Sequence, residues 1–309
     1  MRAVRSTPPG VTVVDAEVPT GPGELIRIRS AGICASDLTY IGYGCTMLLG
    51  HELAGVTEDG TAVAVEAIFG CGECKQCLQG HVNLCVLGPT ALGVTSDGGM
   101  AEYFTAPATT LVPLPTGLPV SDACIVEPAA VAWHACRLAG AGPDLRVAVI
   151  GGGAIGLLAA AAARAMGAAE VSIEVRHPHQ REVAERIGAT ETSGHYDVVV
   201  EAAGTERALH RATEVARPGG TMAVLGVFPP DAVWPQHQCF MKELRTVPSL
   251  GYCRHHGGRD FEDAAAMLAA DPDLVDALIT HRFPIEDAEE AFRVASERSA
   301  GARRVVIEP

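Results

Sequence analysis

Cys71, Cys74, Cys77 and Cys85 fall at CxxCxxCx7C spacing, and no other feature constrains so tightly what this chain can fold into. Four thiolates so spaced can close on one tetrahedral ion, with Zn–S bonds of about 2.3 Å. Protein sulfur then fills every coordination position, so a lobe over residues 71–85 is structural rather than catalytic. Gly72, Glu73, Lys75, Gly80 and Asn83 surround these thiols, where buried filler cysteines would sit in an apolar run.

An open metal site must lie elsewhere, and the preceding segment offers one. It reads Gly32-Ile-Cys34-Ala-Ser36-Asp37, then Gly50-His51-Glu52. Cys34, His51 and Glu52 supply the mixed sulfur, nitrogen and oxygen donors of a zinc that keeps a position free for water or an alcohol. Glu127, in Val126-Glu127-Pro128, is a further acid that follows much later, and the Glu-Pro pair alone reads equally well as a strand end.

Together these residues resemble the zinc-dependent medium-chain dehydrogenase/reductase family, close to its alcohol and polyol dehydrogenases. The resemblance runs through GICASDL, GHELAG, CGECKQCLQGHVNLC, EPAAVAWHAC, VIGGGAIG, DVVVEAAG, the turn at Arg217-Pro-Gly-Gly and ITHRFPIEDAEEAF. It implies an α/β chain of two domains: a β-rich GroES-like catalytic domain over 1–127 and 254–309, and a doubly wound parallel-sheet Rossmann domain over 128–253. It also implies two zinc ions per chain, one catalytic and one structural, a nicotinamide cofactor, an alcohol or carbonyl substrate, and a homo-oligomer, dimer or tetramer.

Composition agrees. A length of 309 residues suits two domains better than one core. The net charge of −14, with no Lys/Arg cluster, argues against nucleic acid or an anionic membrane surface as partner. The first ten residues hold no apolar stretch of a secretory signal. The apolar run over 147–163 is broken by glycines and reads as strand, turn and helix rather than a membrane span. Ten cysteines, four of them in one lobe, suit a reducing cytoplasm and make disulfides an unlikely framework.

The first part alternates short β-type runs at 25–29, 62–67 and 103–106 with Gly/Pro turns. From about Glu127 the texture changes. Residues 133–139 read helical, 146–150 read as a buried strand, and an alanine-rich helix runs to Met166. Between strand and helix lie Gly151-Gly-Gly153-Ala154-Ile155-Gly156, the context that makes a glycine fingerprint credible. Its glycines permit a tight turn and close approach of a pyrophosphate to the helix N-terminus. Further strands at 171–175, 197–201, 221–226 and 245–249, with helical patterns between, predict a parallel sheet. Ala202 and Gly226, at the ends of two of these strands, join the cofactor-binding candidates. Helices over 260–270 and 285–299 and a last strand over 304–307 complete the reading.

The chain is trimmed for the family: sixteen residues separate Cys34 from His51 and nineteen separate His51 from Cys71. A zinc at Cys34 and His51 would act as a Lewis acid on the alcohol or carbonyl oxygen. Ser36 matches the family hydroxyl that passes the alcohol proton outward; the family uses the positions of both Glu52 and Glu127, directly or through water. Two departures stand out. Thr39 occupies the position where many relatives place a relay histidine, and Gly251 stands where polyol dehydrogenases often carry an arginine beside Tyr252. The first sends the proton through water or cofactor hydroxyls, and the second tilts the reading towards a plainer alcohol.

Cofactor choice turns on the end of the second strand. An acid about 20 residues past the glycines binds the ribose hydroxyls of NAD, but that register falls on Val175, followed by Arg176 and His177. Arg176 is a planar cation suited to a phosphate, which favours NADP. NAD remains the alternative if an irregular strand end brings Glu174 round to the ribose. Two other functions fit less of the chain. One is a biosynthetic enzyme of the same fold that oxidises transiently to epimerise or eliminate. The other is a non-enzymatic zinc-ribbon module with a cofactor-sensing domain, which has no need of the Cys34, His51 and Glu52 set.

Overall fold

In the computed structural model, which describes residues 1–297 and 301–309, the chain forms two compact units. One comprises Met1–Glu127 with Cys253–Pro309, the other Pro128–Tyr252.

The first unit is built on a mixed sheet. In order, its strands are Ile279–Pro284, Arg304–Glu308, Glu24–Gly32, Glu52–Thr57, Ala62–Val65 and Leu111–Pro113, and Tyr103–Ala106 also pairs with Glu24–Gly32. All pairs are antiparallel except the first two strands. Along Glu24–Gly32 the residues alternate, with Ile26 and Ile28 buried and Arg27 and Arg29 exposed, as a strand with one wet face requires. From Ser30 onward every residue is buried, because both faces are covered where the strand enters the site. Leu53, Val63, Val65, Val305, Ile307 and Phe292 complete this core.

The last strand returns the chain to this unit because Val305, Val306 and Ile307 are apolar on both faces. Its register is what matters for function. Gly32 is paired with Glu52 on one side and with Val306 on the other. A Cβ on Gly32 would run into the Glu52 carboxylate, so glycine makes the room that this acid occupies.

The second unit is a five-stranded parallel sheet ordered Glu170–Glu174, Arg146–Ile150, Tyr196–Glu201, Ala216–Val224, Arg245–Pro248. The second strand in sequence lies on one side of the first and the third on the other, so connections leave Arg146–Ile150 in opposite directions. Such a switch point is where doubly wound sheets bind ligands, beyond the carboxyl ends of the strands. Helix Ala154–Ala165 packs through Leu157, Leu158 and buried alanines. Lys242 Nζ donates to the carbonyls of Thr213, Glu214 and Ala216, satisfying the open C-terminal end of helix Glu206–Val215.

Several elements differ from the sequence reading. The helix expected over 133–139 begins at Val126, so Glu127 and Pro128 sit in its first turn rather than at a strand end. Proline is tolerated there because first-turn N–H groups have no intrahelical acceptor. The second strand stops at Glu174, leaving Val175 just beyond it. The last helix starts as a 3-10 turn at Ile285–Asp287 and continues as Ala288–Ser296; its expected end at 299 lies outside the described residues. Helix Pro272–Leu278 and strand Ile279–Pro284 were not read from sequence.

Candidate active site

Cys34 precedes helix Ala35–Gly42, whose first turn carries Asp37. Asp37 Oδ2 accepts the Cys34 amide at 2.9 Å, which pins the loop that bears the thiol. The other oxygen, Oδ1, lies 3.4 Å from His51 Nδ1, and Asp37 is fully buried. This carboxylate therefore orients both Cys34 and His51 without facing the open side of the site.

Cys34, His51 and Glu52 form one group whose donor atoms all lie within 4.8 Å of one another. Glu52 Oε2 is buried without a hydrogen-bond partner among the described residues, whereas His51 Nδ1 has the Asp37 carboxylate 3.4 Å away. Buried polar atoms are ordinarily satisfied, so an unpartnered carboxylate oxygen grouped with a thiol and an imidazole is what a missing cation leaves behind. The donors, one sulfur, one imidazole and one carboxylate, suit zinc with an open position, and the residues fit the ion.

Burial disfavours a charged His51 ring, but the Asp37 carboxylate and the Cys34 sulfur outweigh it and raise the imidazole pKa. Ser36 Oγ is 3.1 Å from His51 Nε2, on the same helix turn as Cys34. Thr39 Oγ1 instead donates to the Ala35 carbonyl, so this hydroxyl is committed to its own helix.

Glu52 Oε1 is held by Arg304 Nη1 at 2.8 Å, with both side chains buried. Sequence reading missed Arg304, since nothing local marks an arginine in a terminal strand as a partner of this site. Glu127 stands apart from the three-residue group. It is buried, and desolvation pushes its carboxyl up to about 7 despite the pull of His51.

In the lobe, the sulfurs of Cys71, Cys74, Cys77 and Cys85 also lie within 4.8 Å of one another. Amides point at them: Cys74 N donates to Cys71 Sγ at 3.3 Å and Cys71 N to Cys85 Sγ at 3.4 Å. Amides of Cys77 and Val86 hold the Cys74 thiol down to about 6. A cage of thiolates supported by backbone N–H groups fits a tetrahedral ion.

In the second unit the cofactor candidates gather at the carboxyl ends of the strands. Gly151 has φ +123°, a region that favours glycine, and Gly153 caps helix Ala154–Ala165, which carries Ile155 and Gly156 in its first turn. A Cβ on Gly156 would strike the Gly151 carbonyl, so the helix end can approach the turn only with glycine there. Ala202 and Gly226 lie at the start of the loops after two neighbouring strands: Ala202 N donates to Ile150 O and Gly226 N to Glu201 O.

Val175 faces the glycine turn, since a Cβ added to Gly152 would meet its side chain. Glu174 points the other way, and its carboxylate accepts Arg211 Nε at 2.7 Å. Arg176 and His177 are exposed, and their amides donate to Gln180 Oε1 at 3.0 and 3.1 Å. Besides Arg304, sequence reading missed Arg211 and the buried Glu201.

The chain matches the alcohol dehydrogenase GroES-like domain over residues 21–116 and the zinc-binding dehydrogenase domain over 154–270. It is 32% identical to D-xylulose reductase A of Aspergillus oryzae, over 87% of this chain and 85% of that protein. The chain belongs to the zinc-dependent medium-chain dehydrogenase/reductase family.

Solved structures agree with this membership. L-idonate 5-dehydrogenase of Escherichia coli superposes with a TM-score of 0.90 at 26% identity, covering 100% of this chain and 97% of that one. A zinc-binding dehydrogenase of Sinorhizobium meliloti, solved with NADP, superposes with a TM-score of 0.87 at 29% identity, covering 100% and 99%. This dehydrogenase is thus a zinc-dependent oxidoreductase that transfers hydride between a nicotinamide cofactor and a small alcohol or carbonyl substrate. No helix among the described residues is long and apolar enough to cross a membrane.

Proposed function

We propose that this dehydrogenase interconverts a secondary alcohol and its ketone on a sugar-derived, uncharged substrate, with NADP(H), at a zinc held by Cys34, His51 and Glu52. The observation that supports the site assignment is the close donor group of Cys34, His51 and Glu52 with the buried Glu52 Oε2 left unpartnered. When bound, zinc supplies a Lewis acid for the substrate oxygen and the nicotinamide supplies the hydride carrier.

The chain's own residues do the remainder. Asp37 fixes the Cys34 loop and lies beside the His51 ring, and Arg304 turns one oxygen of Glu52 away so that Oε2 is left for the ion. Ser36 Oγ, beside His51 Nε2, would take the hydroxyl proton and pass it outward to water, since Thr39 is committed to its own helix. Glu127, outside the close donor group, is the outer acid of the site. The Cys71, Cys74, Cys77 and Cys85 lobe holds the second, structural zinc.

NADP is favoured because the one acid near the strand end is engaged elsewhere. Adjacent strand positions face opposite sides, and the carboxylate of Glu174 pairs with Arg211 while Val175 faces the turn. Arg176 and His177 then meet a 2′-phosphate with no carboxylate to repel it. The relative named for xylulose supports an uncharged, polyhydroxylated substrate over the plainer alcohol that Gly251 alone suggests, and the arginine missing at Gly251 removes an anchor for a charged one. Initial rates on a panel of polyols, sugar acids and simple alcohols, with NADP and NAD, test the reading. Turnover confined to sugar acids, or to NAD, would refute its finer part.

The unit 128–252 is the dinucleotide-binding domain in this reading, and the remainder is the catalytic one. A reduced four-thiolate lobe supports a cytoplasmic site of action. Strand Arg245–Pro248 ends the parallel sheet with an open edge, and exposed Phe240, Met241 and Leu250 lie close to it in sequence, which supports a homo-oligomer, dimer or tetramer. Light scattering of the purified protein checks this, and a monomer at micromolar concentration would refute it.

A further inference from the structure

Glu201 is the last residue of strand Tyr196–Glu201 and is fully buried. A carboxylate at the floor of an apolar sheet needs a reason, because burying a charge costs heavily unless it is hydrogen-bonded. Its Oε1 accepts two successive amides, Ala203 N and Gly204 N, each at 2.9 Å. Its main-chain carbonyl accepts Leu225 N and Gly226 N from the end of the next strand. One residue therefore ties together the loops that follow two strands of the sheet.

Those loops border the glycine turn. Glu201 lies in register with Ile150 on one side and with Val224 on the other. A Cβ on Gly151 would come within 3.0 Å of Ala203 Cβ, so the loop that Glu201 shapes packs on the turn itself. A Cβ on Gly226 would overlap both Glu201 Oε2 and the Gly204 backbone. Two of these loops meet at this carboxylate and the glycine turn packs on one of them, at the sheet's switch point, where a dinucleotide is expected.

We propose that Glu201 is a positioning residue for the nicotinamide cofactor: through Ala203 and Gly204 it sets the wall against which Gly151 and its neighbours hold the dinucleotide. It touches neither cofactor nor substrate. The proposal rests on the reading of 128–252 as the cofactor-binding unit. Burial raises the Glu201 pKa against the pull of the amides, a cost that a purely apolar residue would avoid.

The test is titration of NADPH and NADH into the zinc-loaded protein, with kcat and cofactor KM measured alongside the thermal midpoint. Glu201→Ala should weaken binding and raise cofactor KM by about tenfold, the change in a binding constant that about 1.4 kcal/mol produces. Glu201→Gln keeps an oxygen that can accept both amides and should restore most of the affinity. Glu201→Asp keeps the charge but is one methylene short, so it should remain weak. If Glu201→Ala yields no folded protein, the contrast between Gln and Asp decides. A wild-type cofactor KM in Glu201→Ala or Glu201→Asp, whatever the thermal midpoint, overturns the proposal and leaves a merely structural cap. Failure of the wild-type protein to bind either nucleotide would instead remove the domain reading, and the proposal with it.

Discussion

Arg304 Nη1 lies 2.8 Å from Glu52 Oε1, an ion pair buried on both sides that joins positions 252 residues apart. Gly32, paired with the strands that carry both residues, leaves the room that the Glu52 carboxylate occupies. Removing one partner of a buried pair strands a charge and costs about 3–5 kcal/mol, more than the pair itself contributes. Arg304→Met should therefore lower unfolding free energy by about 3–5 kcal/mol. Adding Glu52→Gln to it should recover part of that loss. Denaturant titration of the two single variants and the double variant checks this, and strict additivity would show that the contact carries no coupling.

The thiol lobe should behave as a separate stabilising centre. Cys74→Ser or Cys77→Ser is expected to lose one zinc and lower the thermal midpoint, because structural zinc binding is itself folding free energy. Elemental analysis beside thermal denaturation measures both. A variant that keeps two zincs and full stability would refute the assignment.

Cofactor choice should respond to two positions. Arg176→Ala should weaken NADP selectively, and Val175→Asp should shift preference towards NAD by placing an acid on the face that meets the glycine turn. The ratio of kcat/KM for the two nucleotides reports each change. An unchanged ratio in Arg176→Ala would count against a phosphate contact there.

These contacts explain what could be read from the sequence and what could not. The thiol lobe and the glycine turn are local: their chemistry is written within fifteen residues or fewer, and strand, turn and helix follow in order. The grouping of Cys34, His51 and Glu52 was an inference from donor types, and the sheet brings those donors together. Arg304 and Arg211 were invisible because their partners are set by strand register and helix packing, not by neighbours in the chain. The start of helix Val126–Ala139 was missed because Glu127-Pro128 carries two opposite signals, a strand end or a helix first turn, and only packing decides between them.

Ser36 provides a graded test of proton movement. Its hydroxyl sits 3.1 Å from His51 Nε2, and Ser36→Ala should slow turnover by roughly 10²–10⁴-fold, as for other positioned proton-transfer groups. Thr39→Val should change the rate little, because Thr39 Oγ1 is already bonded to Ala35 O. Steady-state rates at saturating cofactor separate the two. Comparable losses in both variants would show that the proton leaves by another route.

The most direct test of the catalytic centre is zinc content, nucleotide affinity and turnover measured together on Cys34→Ala. The expected result is one zinc per chain, held by the lobe, with NADPH binding near the wild-type value and turnover abolished. Retention of two zincs, or of measurable turnover with one, would contradict a catalytic zinc at Cys34, His51 and Glu52.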